Sequence, residues 1–337
     1  MTNHSSVFTG QARAHTNIAL IKYWGKKDPD LFLPMVSSLS LTLSAFYTDT
    51  RVSFSESYTE NRLLVNGLEQ TGKAKESLDR FMSVIGSKME HPLPIHIESF
   101  NHVPTAAGLA SSASAYAAMT GAIAQALNWD LDLQSLSRIA RRGSGSATRS
   151  LFGGFVEWEK GTDDLSSKAI PIDDGLWDVG MLALVLNDKE KTISSRDGMA
   201  KTVATSPFYP AFVSSQDSDL ELMKKAIKER DIVSMGEIAE HNAMKMHATT
   251  LSAKPPMTYL SPDSLRAIKA VQDLRNSGFT CYYTMDAGPN VKILSPASQQ
   301  DDLIKALRQI FKDVTLVKSQ AGPAMRYLSD EEWQELY

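Results

Sequence analysis

Pro104-Thr-Ala-Ala-Gly-Leu-Ala-Ser-Ser-Ala-Ser114 runs from small, turn-competent residues straight into an Ala-rich helical stretch, 113–127. A helix start offers several unpaired backbone N–H groups and about half a positive charge. Small residues let an anion come close to that backbone, so the segment reads as a phosphate cradle. Gly108 permits the turn, and Ser111 and Ser112 can add hydroxyl contacts to phosphate or to a phosphate-bound cation. A tightly packed Ala/Ser helix with a flexible entry loop accounts for the same residues, and the stretch is not the G-x-x-x-x-G-K-S/T loop. Taken alone, this helix start leaves both readings open.

The totals narrow the choice. A chain of 337 residues with 42% hydrophobic composition can bury two substantial cores, and its length suggests two domains. The single cysteine excludes an internal disulfide framework and fits a reducing compartment. Cys281, inside the apolar run Phe279-Thr-Cys-Tyr-Tyr-Thr-Met285, reads as a buried small hydrophobe. The start Met1-Thr-Asn-His-Ser-Ser6 lacks a basic region followed by an apolar one, and no apolar run reaches bilayer length, so a soluble cytoplasmic protein without a membrane partner is expected. A formal charge of −4 argues against nucleic acid, so a polyanionic ligand has to be held by a local cluster of cations. Small phosphorylated ligands remain.

Residues 1–185 alternate strand-like runs such as 48–55 with helical ones such as 77–89 and 112–127, as an α/β lobe does. The apolar run 179–186 reads as a buried strand ending in a polar loop, 187–198, placed to act as a lid. Beyond it, 217–246 is helical in pattern. Ser261-Pro-Asp263 opens another helix with an N-cap serine and Pro in the first turn, and Gly278 stops it. Strands at 280–285 and 291–294, a helix at 300–311 and a strand at 314–318 complete a smaller α+β lobe. The division is drawn as 1–187 and 188–337.

Four further segments carry chemistry. In Ala12-Arg-Ala-His-Thr-Asn-Ile-Ala-Leu-Ile-Lys22-Tyr-Trp-Gly-Lys26, Lys22 closes an apolar run. It either snorkels to solvent or, with Tyr23, Trp24 and Lys26, forms a partly desolvated cationic corner suited to phosphate. In Gly143-Ser-Gly-Ser-Ala-Thr-Arg149-Ser150, the preceding Arg138, Arg141 and Arg142 read as a solvated face. Arg149 lies between a Gly/Ser turn and an apolar run, where a planar fork can grip a carboxylate. Ser194-Ser-Arg196-Asp-Gly-Met199 supplies a cation from the expected lid. In Met285-Asp286-Ala-Gly-Pro-Asn290, Asp286 is either an ordinary turn former or a carboxylate at a strand end that accepts or orients a hydroxyl proton. The seven histidines form no metal-binding motif.

Taken together, and in this order along nearly the whole chain, Asn17-Ile-Ala-Leu-Ile-Lys-Tyr-Trp-Gly-Lys26, 104–114, 143–150, 194–199 and 285–290 resemble the mevalonate diphosphate decarboxylase family. That family lies within the superfamily of galactokinase, homoserine kinase, mevalonate kinase and phosphomevalonate kinase. Those kinases typically have Gly-Leu-Gly-Ser-Ser where this chain has Gly108-Leu-Ala-Ser-Ser112, and the alanine agrees with the decarboxylase branch. The resemblance implies an α+β fold of two lobes, the first like the second domain of ribosomal protein S5 and the second ferredoxin-like, with the active site in the cleft. It implies MgATP-dependent decarboxylation of mevalonate 5-diphosphate to isopentenyl diphosphate through a 3-phosphorylated intermediate, and a homodimer.

By the same resemblance, Asp286 orients or deprotonates the 3-hydroxyl, Lys22 stabilises charge near the transferring phosphoryl group, and Arg149 holds the substrate carboxylate. Tyr23, Lys26, Ser144, Gly145, Ser146, Ser195, Arg196 and Met199 would surround the substrate. Asn101 and Val103 would lie near the base of ATP. Pro104, Gly108, Leu109, Ala110, Ser111 and Ser112 would wrap its triphosphate, and Lys189 or Lys191 would close from the lid. Magnesium would arrive with ATP, within reach of Ser111 or Ser112.

Other activities fit parts of the pattern. A small-molecule kinase on the same fold would make ADP without CO2. A serine amidohydrolase, with Lys22 activating a hydroxyl of Gly143-Ser-Gly-Ser, would need no ATP. A silent nucleotide-binding regulator is a third reading, opposed by the presence of Lys22, Arg149 and Asp286 together.

Overall fold

The computed structural model describes residues 7–102, 111–186 and 193–337. Two long strands, β1 (Phe8–Ile21) and β4 (Ser38–Phe54), form the spine. They pair antiparallel from Phe8↔Phe54 to Ile21↔Leu39, with register shifts at His15/Asn17 and Ala19/Ile21. Between them lie the small strands β2 (Lys26–Asp28) and β3 (Leu33–Pro34). The far half of β4 pairs with β7 (Ile95–Asn101), and β7 with β5 (Arg62–Val65), which turns back through β6 (Leu68–Glu69). The near half pairs with β8 (Phe155–Trp158), and β8 with β9 (Ala169–Asp173).

One face of this sheet is covered by α1 (Lys73–Gly86), α2 (Ser111–Ala126) and α3 (Leu133–Gly143), around Val52, Ile97, Phe81, Ile123 and Leu136. The alanines of α2 have a packing reason: the helix lies so close to β1 that a Cβ on Gly10 would run into the Ala122 carbonyl. The tightly packed Ala/Ser helix is therefore true of α2's body, while its first turn, at Ser111 and Ser112, opens on a cavity.

The second sheet is antiparallel, ordered β11 (Tyr282–Met285), β12 (Val291–Ser295), β10 (Gly180–Val185) and β13 (Thr315–Gln320). The expected buried strand at 179–186 is β10. By hydrogen bonding it belongs with β12 and β13, although the division at 187 groups it with the first lobe. Helices α7 (Pro262–Asn276) and α8 (Gln300–Ile310) cover one face around Leu182, Val271, Ile293 and Leu303. Ser261 caps α7 in a reciprocal pair with Ser264, as its Ser-Pro start predicts. On the other face, α5 (Tyr209–Glu229) and α6 (Ile232–Leu251) form an apolar core shared with β1 and β4: Met223, Ile227 and Met235 pack with Ile18, Leu20, Leu39 and Leu41. That shared core sets the end of β1, with Lys22, against the end of β11, with Asp286.

The segment 194–198, expected as loop, starts helix α4 (Ser195–Thr205). Ser194 is its N-cap, accepting from the Asp197 N–H. Residues 187–192 of the expected lid, with Lys189 and Lys191, lie outside the described residues. So do Val103, Pro104, Gly108, Leu109 and Ala110. After β13 the chain returns to the first sheet: β14 (Arg326–Tyr327) pairs with β1 at Ala12 and Arg13, and α9 (Asp330–Leu336) follows. Tyr337 donates its hydroxyl to Asp49 at 2.8 Å, and the same buried carboxylate takes a bidentate grip from Arg13 at 2.6 and 2.7 Å. No helix among the described residues is long and apolar enough to cross a membrane.

Candidate active site

A cavity of about 770 Å³ lies where β1, α2, α4 and the β11 end converge. Its polarity is lopsided. Asp286 is the one acidic side chain among its described lining residues, against Lys22, Lys26, Arg149 and Arg196. Such a site attracts anions and is incomplete without them.

Lys22 does not reach solvent. It is 1% exposed, and its ammonium donates to the Ala19 carbonyl and to Asp286 Oδ1, each at 2.7 Å. Burial pushes it down to about 8, against the pull of Asp286. The β1 end is fixed further by Asn242 of α6, whose Oδ1 accepts from the Lys22 N–H at 2.8 Å. The turn beyond depends on Gly25, at φ 110°, where a side chain would collide with the Tyr209 hydroxyl.

Asp286 sits just past β11, its side chain 25% exposed, with a second lysine behind it. Lys292 Nζ is 3.2 Å from Oδ2. Burial raises the Asp286 carboxyl, but the charges of Lys22 and Lys292 more than offset this and hold it well below the usual carboxylate range. At neutral pH it is an anion.

Arg149 is 2% exposed in the 3-10 turn Gly145–Leu151. Its guanidinium donates to Ser38 Oγ (2.5 Å), Ser40 Oγ (2.9 Å) and Asn17 Oδ1 (3.2 Å). These partners are neutral, so the cation faces the cavity with its charge unmatched by a direct carboxylate contact. Burial pushes it down to about 10, which still leaves it charged. Arg141 was expected to be solvated, but it is fully buried: with Arg138 it pairs with Asp164, and it also reaches the carbonyls of Leu31 and Ser167. It braces the loop after β9's partner strand and takes no part in the cavity.

A hydroxyl track leads from α2 into this turn: Ser112 Oγ is 3.3 Å from Ser144 Oγ, itself 3.3 Å from Ser146 Oγ. Gly145 is tight against Trp158 and Tyr23, so a larger residue there would collide with both rings. Tyr23 lines the cavity with a buried hydroxyl that has no hydrogen-bond partner, and burial raises its pKa above the usual range. Lys26 lies 3.3 Å from the Phe32 ring centroid and Arg196 5.9 Å from it, making a cationic wall. Ser195 and Met199 line the same side, and Asn101 and Ser111 lie at the α2 end. Every expected site residue that the structure describes therefore borders one cavity. Ser38, Ser40 and Lys292 were missed; a lysine inside the apolar run Val291-Lys-Ile-Leu294 is the signal that could have found the last.

Two family models divide the chain between them. The diphosphomevalonate decarboxylase-like N-terminal domain matches residues 14–169, and the mevalonate 5-diphosphate decarboxylase C-terminal domain matches residues 181–334. The diphosphomevalonate decarboxylase of Candida albicans is 38% identical over 91% of this chain and 90% of its own. The chain belongs to the diphosphomevalonate decarboxylase family. Among solved family structures, that of Staphylococcus aureus is 44% identical with a TM-score of 0.93, covering 96% of this chain and 99% of the other. A structure described as MDDEF in complex with MVAPP, AMPPCP and magnesium is 47% identical, with a TM-score of 0.92 over 96% of this chain and all of that one. The two-lobed α+β architecture is thus the family's own.

Proposed function

We propose that this chain catalyses the MgATP-dependent conversion of mevalonate 5-diphosphate to isopentenyl diphosphate, CO2, ADP and phosphate. The observation that carries the reading is Asp286, the one anionic side chain among the described lining residues, set with Lys22, Arg149, Lys26 and Arg196 in one cavity. The relative in complex with MVAPP, AMPPCP and magnesium supports the same substrates here.

Hydroxide leaves a tertiary carbon poorly, so the 3-hydroxyl oxygen first bonds to the γ-phosphorus while the bond from that phosphorus to ADP breaks. Asp286 is far too weak a base to strip an alcohol in advance. It orients the hydroxyl and receives the proton late, as the oxygen becomes acidic on bonding to phosphorus. Lys22 meets charge building on the transferring group. The C3–O bond then breaks with its electron pair going to phosphate, and the pair of the carboxylate C–C bond becomes the double bond as CO2 leaves. Arg149 contributes orientation, since tight pairing to the ground-state carboxylate would oppose the loss of its charge.

Magnesium bound with ATP neutralises phosphate charge. No group of three His, Cys, Asp or Glu suited to a metal occurs among the described residues, and the hydroxyls of Ser111 and Ser112 at the α2 start suit an ion carried in by phosphates. A homodimer and a cytoplasmic location belong to this proposal, supported by the family resemblance and, for location, by the single cysteine; the lobe division drawn at 187 is moved ahead of β10, which pairs with β12 and β13.

The deciding experiment follows ADP, CO2 and inorganic phosphate together, with MgATP and either mevalonate 5-diphosphate or mevalonate 5-phosphate. Equal yields of all three from the diphosphate alone are expected. The same result from the monophosphate alone reassigns the substrate, and ADP without CO2 makes the protein a kinase.

Lys26 gives a pH prediction. Burial, with Arg196 and Arg80 nearby, pushes its ammonium down to about 8 in the free protein. The charged form holds diphosphate, so affinity is full below that value and weakens as pH rises through it, less steeply once the bound anion raises the lysine's pKa. Lys26→Met should raise KM for the diphosphate substrate about tenfold, as loss of one charge-assisted hydrogen bond does, and abolish this dependence. An unchanged KM at pH 7 removes Lys26 from the diphosphate site.

A further inference from the structure

Lys292 is a lysine with no solvent exposure, in a strand whose neighbours Val291, Ile293 and Leu294 are core residues. Burying an ammonium is costly unless it is paired, and a methionine or leucine would fill such a slot without that cost. Its ammonium reaches the Asn290 carbonyl at 3.3 Å and Asp286 Oδ2 at 3.2 Å. It does not line the cavity.

The register explains the meeting. Lys292 is directly opposite Thr284 in the β11–β12 hairpin, and Asp286 lies two residues beyond Thr284, so the alternation of the strand brings lysine and carboxylate to one face. The two lysines on Asp286 therefore differ in origin. Lys22 crosses from β1, whereas Lys292 belongs to the aspartate's own hairpin and stays with it whatever the first sheet does. They also divide the carboxylate. Oδ2 is buried on the Lys292 side, so the part of the group that meets the cavity is Oδ1, on the Lys22 side.

We propose that Lys292 is a positioning residue for the phosphoryl-transfer step, anchoring Asp286 from behind so that one ionised oxygen is presented to the substrate alcohol. The proposal rests on the reading of Asp286 given above. Among the described residues, four groups act on this carboxylate: Lys22 at the end of β1, Lys292 from β12, Arg149 from the 3-10 turn and His247 from α6. Burial, followed by the Lys22 charge, pushes His247 down to about 4, so it is neutral near pH 7 and Lys292 supplies a charge that it cannot replace. With Lys292 gone, Asp286 keeps Lys22 and Arg149, and its carboxyl becomes easier to protonate.

The test uses the full chain with Lys292→Met, and Lys292→Gln as a second neutral variant that keeps a donor for Asn290. Two readouts are taken. The first is the titration of the Asp286 carboxyl in protein carrying 13C at the aspartate side-chain carboxyl, assigned by its disappearance in Asp286→Asn. Its midpoint should rise by about one to three units in whichever neutral variant folds, the shift expected for losing one close opposite charge. The second is steady-state ADP formation at pH 7, where kcat should fall about tenfold or more while KM for ATP and for mevalonate 5-diphosphate stays within about twofold. A lysine that served only structure would move the titration through its charge but leave kcat unchanged in a folded variant. An unmoved midpoint, an unchanged kcat, or an effect confined to KM each overturns the proposal. Failure of both neutral variants to fold does so as well, since it makes the lysine a structural requirement. Absence of turnover in the wild-type protein would instead refute the functional reading, leaving the titration to report the lysine–carboxylate pair alone.

Discussion

Asp286→Ala should abolish ADP formation, by a factor on the order of a thousand, because it removes the only carboxylate among the described cavity-lining residues. The loss has two separable parts. One is chemical: no group remains at that place to orient the hydroxyl and take its proton. The other is structural, because Lys22 and Lys292 lose their shared anion while both stay buried, and breaking such a cluster costs about 3 kcal/mol. Thermal unfolding measured beside turnover distinguishes them, and Asp286→Asn, which keeps the volume, provides a second reading. Full activity in a folded Asp286→Ala protein would defeat the mechanism.

Arg149→Ala should lower CO2 release about a hundredfold while leaving ATP affinity nearly unchanged. The argument begins with what holds the guanidinium: Ser38, Ser40 and Asn17 fix its plane by neutral hydrogen bonds and leave its charge for a ligand. A bidentate grip on a carboxylate fixes the bond about to break relative to the departing phosphate, and loss of such alignment costs about two orders of magnitude. CO2 release from labelled substrate and equilibrium binding of ATP, measured on the same preparation, check both halves. Equal losses in the two would move Arg149 to the nucleotide. Lys at this position should restore little, since a point charge lacks the fork.

The candidate site was legible because its chemistry needs residue types that are conspicuous where they stand. A lysine ending an apolar strand, an arginine between a Gly/Ser turn and an apolar run, and an aspartate after a strand each break a local pattern. What could not be read was which charged groups pair inside the protein. Arg141 looks like one of three arginines on a polar helix face, and only the return of Asp164 across α3 makes it a buried brace. Lys292 and Asp286 are six positions apart, but their pairing depends on hairpin register. Ser38 and Ser40 serve Arg149 because β4 alternates, a role that becomes visible only once the distant turn is known to lie over that face. Most strand and helix positions in the second half followed their periodicity, but the helical stretch at 217–246 is two helices, α5 and α6, parted by Arg230 in the left-handed region and the Asp231 N-cap. The start of α4 did not follow it, because Ser194-Ser-Arg-Asp-Gly198 is polar enough to pass for loop, and a serine N-cap decides otherwise. The last segment was missed altogether, since β14 is two residues long and carries no periodicity.

That last segment bears on how the molecule is made. Residues 326–337 supply an edge strand and a capping helix to a sheet whose first strand begins at Phe8. On the ribosome, at about 5–20 residues per second, β1 waits many seconds for this partner, and the whole second sheet is synthesised in the interval. Until then the β1 edge at Ala12 and Arg13 is unpaired, an open template for another nascent chain. The ion pair from Arg13 to Asp49 of β4 holds charge against that edge in the meantime. Tyr337 then reaches Asp49 of β4, so the first sheet is closed only after the second has been made.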